Sequence, residues 1–178
     1  SFGILEYLVH PNQSEFGTLL EEHALKNTDS RVKEKKSVTP GFLLSALLWP
    51  RVIERSKIKN KVVYKKFNSA MSLILNEQLS LTAIPRSFHT YIKDIWKLQF
   101  KLERRTKFEP FKVLQHPRFR AAYDLLLLRE SASSDESNIG KWWTKFQASN
   151  RKTKILMLDD LKKNKSEVKK FGFSGELG

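Results

Sequence analysis

The side chains that could do covalent chemistry in this chain are few and badly spaced for it. His10, His23, His89 and His116 lack the short spacings, to one another or to Asp and Glu, that a metal site needs. A lone His such as His89, on the flank of an apolar helical face, reads as a packed or capping residue. Asp159 and Asp160 are adjacent, so on a helix they point to different sides and do not make the spaced carboxylate pair of two-metal phosphoryl transfer. Glu21 and Glu22 read as a solvated face rather than as paired acid and base. There is no Cys, hence no thiolate ligand, disulfide or Cys nucleophile. The seven Gly are scattered, and none sits in a strand-to-helix phosphate loop. The expectation is a segment with no catalytic residue, metal site or cofactor site of its own.

What the sequence does offer is chemistry for holding a polyanion. Laid out at about 100° per residue, the run from Pro85 places Arg86, Lys97, Lys101 and Arg104 within about 80° of Lys93. Phe88, Tyr91, Ile92, Ile95, Trp96, Leu98, Gln99 and Leu102 fall on the opposite arc. Arg104, Arg105 and Lys107 end this stripe, and Arg118 and Arg120 open the helix after His116-Pro117, whose free N–H groups also suit an anion. Arg forks take phosphate oxygens bidentately and Lys supplies a point charge. The expected contacts are therefore Lys93, Lys97, Lys101, Arg104, Arg105, Lys107, Arg118 and Arg120. Phe108, Phe111 and Trp142 are candidates for stacking on unpaired bases, although Phe111 reads first as core. Trp142 and Trp143 cannot both face inward on one short helix. The formal net charge of +14 agrees in sign and is clustered: residues 1–30 carry one Lys against five acids, whereas 31–66 carry eleven Lys and Arg against two. A field of that size attracts RNA, DNA or an anionic membrane surface, and its clustering favours nucleic acid.

The elements that must position these groups are helices. No segment shows sustained two-residue alternation, and nearly every one has the helical period. Residues 14–32 form one expected helix, and 31–36 a loop or frayed end. Thr39-Pro40 starts the next, an apolar helix written PGFLLSALLWPRVIERSKIK that Pro50 should kink or break. Asn60 is placed as the cap of a third, with Val63, Phe67, Ala70, Met71, Ile74 and Leu75 as its core stripe. The Pro85 helix follows, then 111–115, an extended step at His116-Pro117, and the helix RFRAAYDLLLLRE. After the polar linker SASSDESN comes a short helix with GKWWTKF, then a Lys-rich run with one amphipathic piece, ILMLDDL. The expected fold is all-α, an irregular bundle of about seven helices. Residues 1–150 are its body and 151–178 a flexible, Lys-rich tail. No apolar run approaches the roughly 18 residues that span a bilayer, so membrane insertion is not expected. The chain begins mid-pattern without Met and is expected to be a segment of something longer.

The string DIWKLQFKLERRTKFEPFKVLQHPRFRAAYDLL, followed by GKWWTKFQAS, resembles the C-terminal region of bacterial poly(A) polymerases. LKNTDSRV, TPGFLLSALLWP and LSLTAIPRSF stand in that family's order and spacing, so the resemblance spans about residues 20–150. It implies a parent nucleotidyltransferase that adds adenylates from ATP, with Mg²⁺, to RNA 3′ ends in the bacterial cytoplasm and so promotes RNA decay. The Gly-Ser motif and carboxylate pair of such a catalytic head are absent here. The resemblance makes this segment the RNA-binding body, inactive alone, with single-stranded RNA 3′ ends as partner. Two other readings stay open: docking of RNA helicases or the RNA-decay machinery, and the body of a CCA-adding enzyme acting on tRNA. The chain departs from the family at its end, where an Arg-rich run is replaced by a Lys-rich one.

Overall fold

The computed structural model describes residues 15–33, 39–59, 61–81, 85–106, 108–133 and 137–172. Eight α-helices lie among them: α1 (Glu15–Lys33), α2 (Pro40–Arg55), α3 (Tyr64–Leu81), α4 (Ser87–Arg104), α5 (Glu109–Leu114), α6 (Phe119–Ala132), α7 (Ile139–Ala148) and α8 (Arg151–Gly172). Between α2 and α3 sits a small antiparallel hairpin, β1 (Lys57–Ile58) and β2 (Lys61–Val62). The architecture is all-α apart from that hairpin. No described helix is long and apolar enough to cross a membrane.

Helix α2 packs against α1, α3, α4 and α6 and is the centre of the body. Thr39 is extended (φ −82°, ψ 128°), its carbonyl takes the N–H groups of Phe42 and Leu43, and Pro40 occupies the first turn. The Thr39 hydroxyl does not cap the helix; it pairs at 3.3 Å with the Tyr91 hydroxyl of α4. Pro50 does not break α2, which runs on to Arg55. An interior proline costs about 3 kcal/mol. Burial of Leu47, Leu48, Trp49 and Val52 on either side of it offsets that cost, since each large buried side chain contributes about 1.5–3 kcal/mol.

The helix expected to continue through 56–59 stops instead. Ser56 donates its N–H to Ile53 and accepts from Val63 N–H at 2.9 Å, which closes the hairpin with Lys57 opposite Val62 and Ile58 opposite Lys61. Lys59 takes the turn at φ 47°. Val63 therefore precedes α3 rather than beginning its stripe, and the expected cap, Asn60, lies outside the described residues.

Helix α4 buries Ile92, Ile95, Trp96, Leu98, Gln99 and Leu102, as its periodicity predicts. Indole N–H groups tie it to its neighbours: Trp96 donates to the Ser45 carbonyl at 2.8 Å, and Trp143 donates to the Leu102 carbonyl at 2.9 Å. Buried Gln99 joins α4 to α6, giving its amide to the Ala122 carbonyl at 2.9 Å and accepting from Arg129 at 2.9 Å. Arg129 also reaches Glu103 at 2.8 Å and lies 4.7 Å from the Trp49 ring centre, so a single guanidinium links α2, α4 and α6. On α7, Gly140 N–H donates to both oxygens of Glu130 at 2.9 and 3.1 Å. A Cβ at Gly140 would run into that carboxylate and stand 2.6 Å from Leu127 Cδ2.

Helix α8 begins at Asn150, whose side-chain oxygen accepts from Thr153 N–H at 2.9 Å. The amphipathic piece ILMLDDL joins it to the body, because Met157 and Leu158 are buried. The Lys-rich run is therefore helical from Arg151 to Gly172, and 173–178 lie outside the described residues.

Candidate nucleic-acid interface

The predicted stripe on α4 is real as a surface. Lys97, Lys101 and Arg104 are exposed, and Lys93 is half-buried with its ammonium donating to Ser72 Oγ of α3 at 3.0 Å. Among the described residues Lys97 and Lys101 form no ion pair. His89, beside Lys93 and Arg86, has its pKa lowered by burial first and then by those two cations. Only the smaller, charge-driven part of that shift comes from the cations of the stripe.

The structure does not gather all the predicted contacts into one cluster. Arg105 ends α4 in the left-handed region (φ 44°), which is uncommon for a residue with a Cβ. Its guanidinium lies half-buried, 5.3 Å from the Trp142 ring centre, and burial lowers its pKa while Glu130 and Glu103 pull the other way. Arg105 is thus part of the joint between α4, α6 and α7. Arg118 lies 4.7 Å over the Tyr91 ring, about thirteen residues and roughly 20 Å along α4 from Arg104. It flanks the stripe on the α6 side instead of meeting Arg104. Arg120 is exposed but paired with Asp124 at 3.2 Å, which offsets its charge. Lys107 lies outside the described residues. At the start of α6, Arg118 N–H goes to His116 Nδ1 at 3.0 Å and Phe119 N–H to the His116 carbonyl at 2.9 Å.

The aromatic candidates divide. Phe111 packs on Phe146, their ring centres 5.4 Å apart. Trp143 is fully buried and Trp142 half-buried, stacked on Phe146 at 4.7 Å. Phe108 remains 70% exposed. Among the described residues no three His, Asp or Glu side chains come together as metal ligands.

Sequence reasoning missed what lies beside the stripe. Lys93 meets Ser72, while Phe100 meets Tyr64 and Phe67 at 5.8 and 4.6 Å. Rising residue numbers on α4 thus match falling numbers on α3, so the two run antiparallel, and the α3 start, with exposed Lys65, lies beside the Phe100–Lys101 end of α4. The signal was present as the charge excess of residues 31–66, but a count carries no position.

Fold and surface together define an all-helical, strongly basic module with one cationic helix face laid open. The chain belongs to the family described as Polymerase A arginine-rich C-terminus, which matches residues 59–171. It is similar to Poly(A) polymerase I of Salmonella typhi, 37% identical over 143 residues, covering 77% of this chain and 31% of that protein. Poly(A) polymerase I of Escherichia coli O157:H7 is 35% identical over 164 residues, covering 89% and 35%. The Haemophilus influenzae protein of the same name is 34% identical over 152 residues, covering 83% and 34%. The chain spans about a third of the length of these relatives.

Proposed function

We propose that this chain is the RNA-binding helical module of a bacterial poly(A) polymerase, holding the RNA backbone upstream of the 3′ end on the α4 face. The observation that carries this reading is the solvent-exposed row of Lys97, Lys101 and Arg104, of which Lys97 and Lys101 form no ion pair among the described residues, on a helix whose opposite face is locked into the core. Family membership supports RNA as the polyanion, and the relatives' shared name supports poly(A) addition over CCA addition for the parent. In such a polymerase, transfer of adenylates from ATP with Mg²⁺ would fall to a part outside this chain, acting in the cytoplasm on RNA destined for decay. This segment would supply grip. Contacts of this kind are electrostatic, so affinity falls steeply with salt.

The test is an anisotropy titration of the 178-residue chain with a labelled oligo(A), beside an adenylation assay on the same chain. Salt-sensitive binding without tailing is expected. No binding, or ATP-dependent tailing by this chain alone, overturns the assignment. An RNA helicase or another decay protein is the competing occupant of the face; a pulldown that survives nuclease would favour it.

A further inference from the structure

The α4 stripe does not end at its own helix. The antiparallel register with α3 brings a second basic segment, far away in sequence, onto the same side of the molecule. That segment is the hairpin and first turn of α3, KIKNKVVYKK, with five Lys and no acid. Lys57 is tied to Glu54 at 2.8 Å. Lys59, Lys61 and Lys65 are exposed and form no ion pair among the described residues. Amid them stands Tyr64, 55% exposed. Its ring centre lies 5.8 Å from that of Phe100, edge to face, and 6.2 Å from that of Phe67, so the ring is braced by two aromatics while much of the residue stays exposed.

We infer that this hairpin is a second RNA-contact site, with Tyr64 as a stacking platform for an unpaired base and Lys59, Lys61 and Lys65 as phosphate contacts. The inference rests on the RNA reading above and extends its footprint. The ligand class follows from the juxtaposition: a braced, exposed aromatic ring among cations suits single strands, whose bases stack on aromatics while cations track the backbone. An acidic protein would use the cations but has no flat base for Tyr64. Paired RNA would use the cations and keep its bases to itself.

The experiment compares the chain with two variants, Tyr64→Leu and Lys59→Gln/Lys61→Gln/Lys65→Gln, each titrated with a labelled oligo(A) of about twelve nucleotides, a length within the range such grooves hold. A blunt RNA duplex and polyglutamate are the other probes. Leu preserves apolar packing on Phe67 and Phe100, and Tyr64→Trp restores a platform should Leu loosen the turn. Loss of roughly tenfold in oligo(A) affinity with Tyr64→Leu, duplex binding unchanged and Trp restoring it, is the expected result. The triple variant should lower the magnitude of the salt slope by about 2, at about 0.7 per lost contact. If wild type does not bind oligo(A), the underlying RNA reading fails. If wild type binds, yet both hairpin variants bind as well as it does, that reading stands and the hairpin site is overturned. Equal losses for oligo(A) and polyglutamate with the Lys variant, and none with Tyr64→Leu, would make the hairpin a face for acidic proteins and overturn the site as well.

Discussion

Replacing Lys97, Lys101 and Arg104 together by Gln tests whether the α4 face holds backbone phosphate. All three are exposed while the opposite side of α4 is buried, so the core contacts of the helix are left in place. Gln has nearly the helix propensity of Lys and Arg, and surface changes of this sort usually stay within about 0.5 kcal/mol each. Each phosphate neutralised on a single strand contributes about −0.7 to the slope of log affinity against log salt, so losing three contacts should flatten the slope by about 2.1. Between about 50 and 200 mM salt, the wild-type advantage over the variant should therefore shrink about twentyfold. This difference does not depend on how many contacts the rest of the surface makes, which makes it a sharper readout than affinity at one salt concentration. Anisotropy with a labelled oligo(A) over a salt series measures it, and thermal melting confirms that the variant is folded. A folded variant whose slope stays within about 0.5 of wild type would refute phosphate contact by this stripe.

Three further outcomes follow from the same geometry. Gly140→Ala should cost about 1 kcal/mol or less, since its Cβ displaces the tips of Glu130 and Leu127 while Ala favours the helix, lowering Tm by at most roughly 2–4 °C in a scanning melt. Arg129→Ala should cost about 2–4 kcal/mol in urea unfolding, because it strands the buried Gln99 oxygen and strips the cation from Trp49, and Arg129→Lys should recover only part for want of the fork. His89 has a folded-state pKa below its ordinary value, so its stability contribution is present above the ordinary value near 6.5 and lost as pH falls through the folded one. A polyanion on the stripe should raise that pKa, so binding should take up a proton and tighten as pH falls through the bound-state pKa towards the lower free-state one; NMR titration of the His89 ring with and without oligo(A), and loss of the effect in His89→Asn, check it.

The α4 surface was legible in the sequence because one local string writes both of its faces: the 3.6-residue period that buries Ile92, Ile95 and Leu102 also exposes Lys97, Lys101 and Arg104. Three things were not. The hairpin at 57–62 has two-residue strands, too short for any alternation, and it replaces the expected end of one helix and the expected start of the next. Pro50 is a strong local breaker overridden by burial on both sides, which no local rule contains. The third is the pairing of α4 with α3, fixed by Phe100 against Phe67 and by Lys93 against Ser72. Pairing of distant elements depends on which apolar faces fit, and periodicity marks the faces without marking their partners.

Where each cation goes also decides what kind of grip the face can have. Arg51 and Arg55 share Glu77, Arg129 bridges three helices, Arg120 pairs with Asp124, and Arg105 and Arg118 lie against Trp142 and Tyr91. These forked, planar side chains are engaged within the molecule, where bidentate and stacked geometry holds elements in register, whereas Arg104 stays exposed on the α4 face. Exposed Lys97, Lys101, Lys59, Lys61 and Lys65 are point charges on flexible stems. Such charges hold phosphate without fixing its orientation, so they supply affinity and very little sequence choice. On the RNA reading proposed above, a face built this way would take a single strand of any sequence. On the same reading, a preference for unpaired over paired strands would come from rings such as Tyr64, which need a free base face to work.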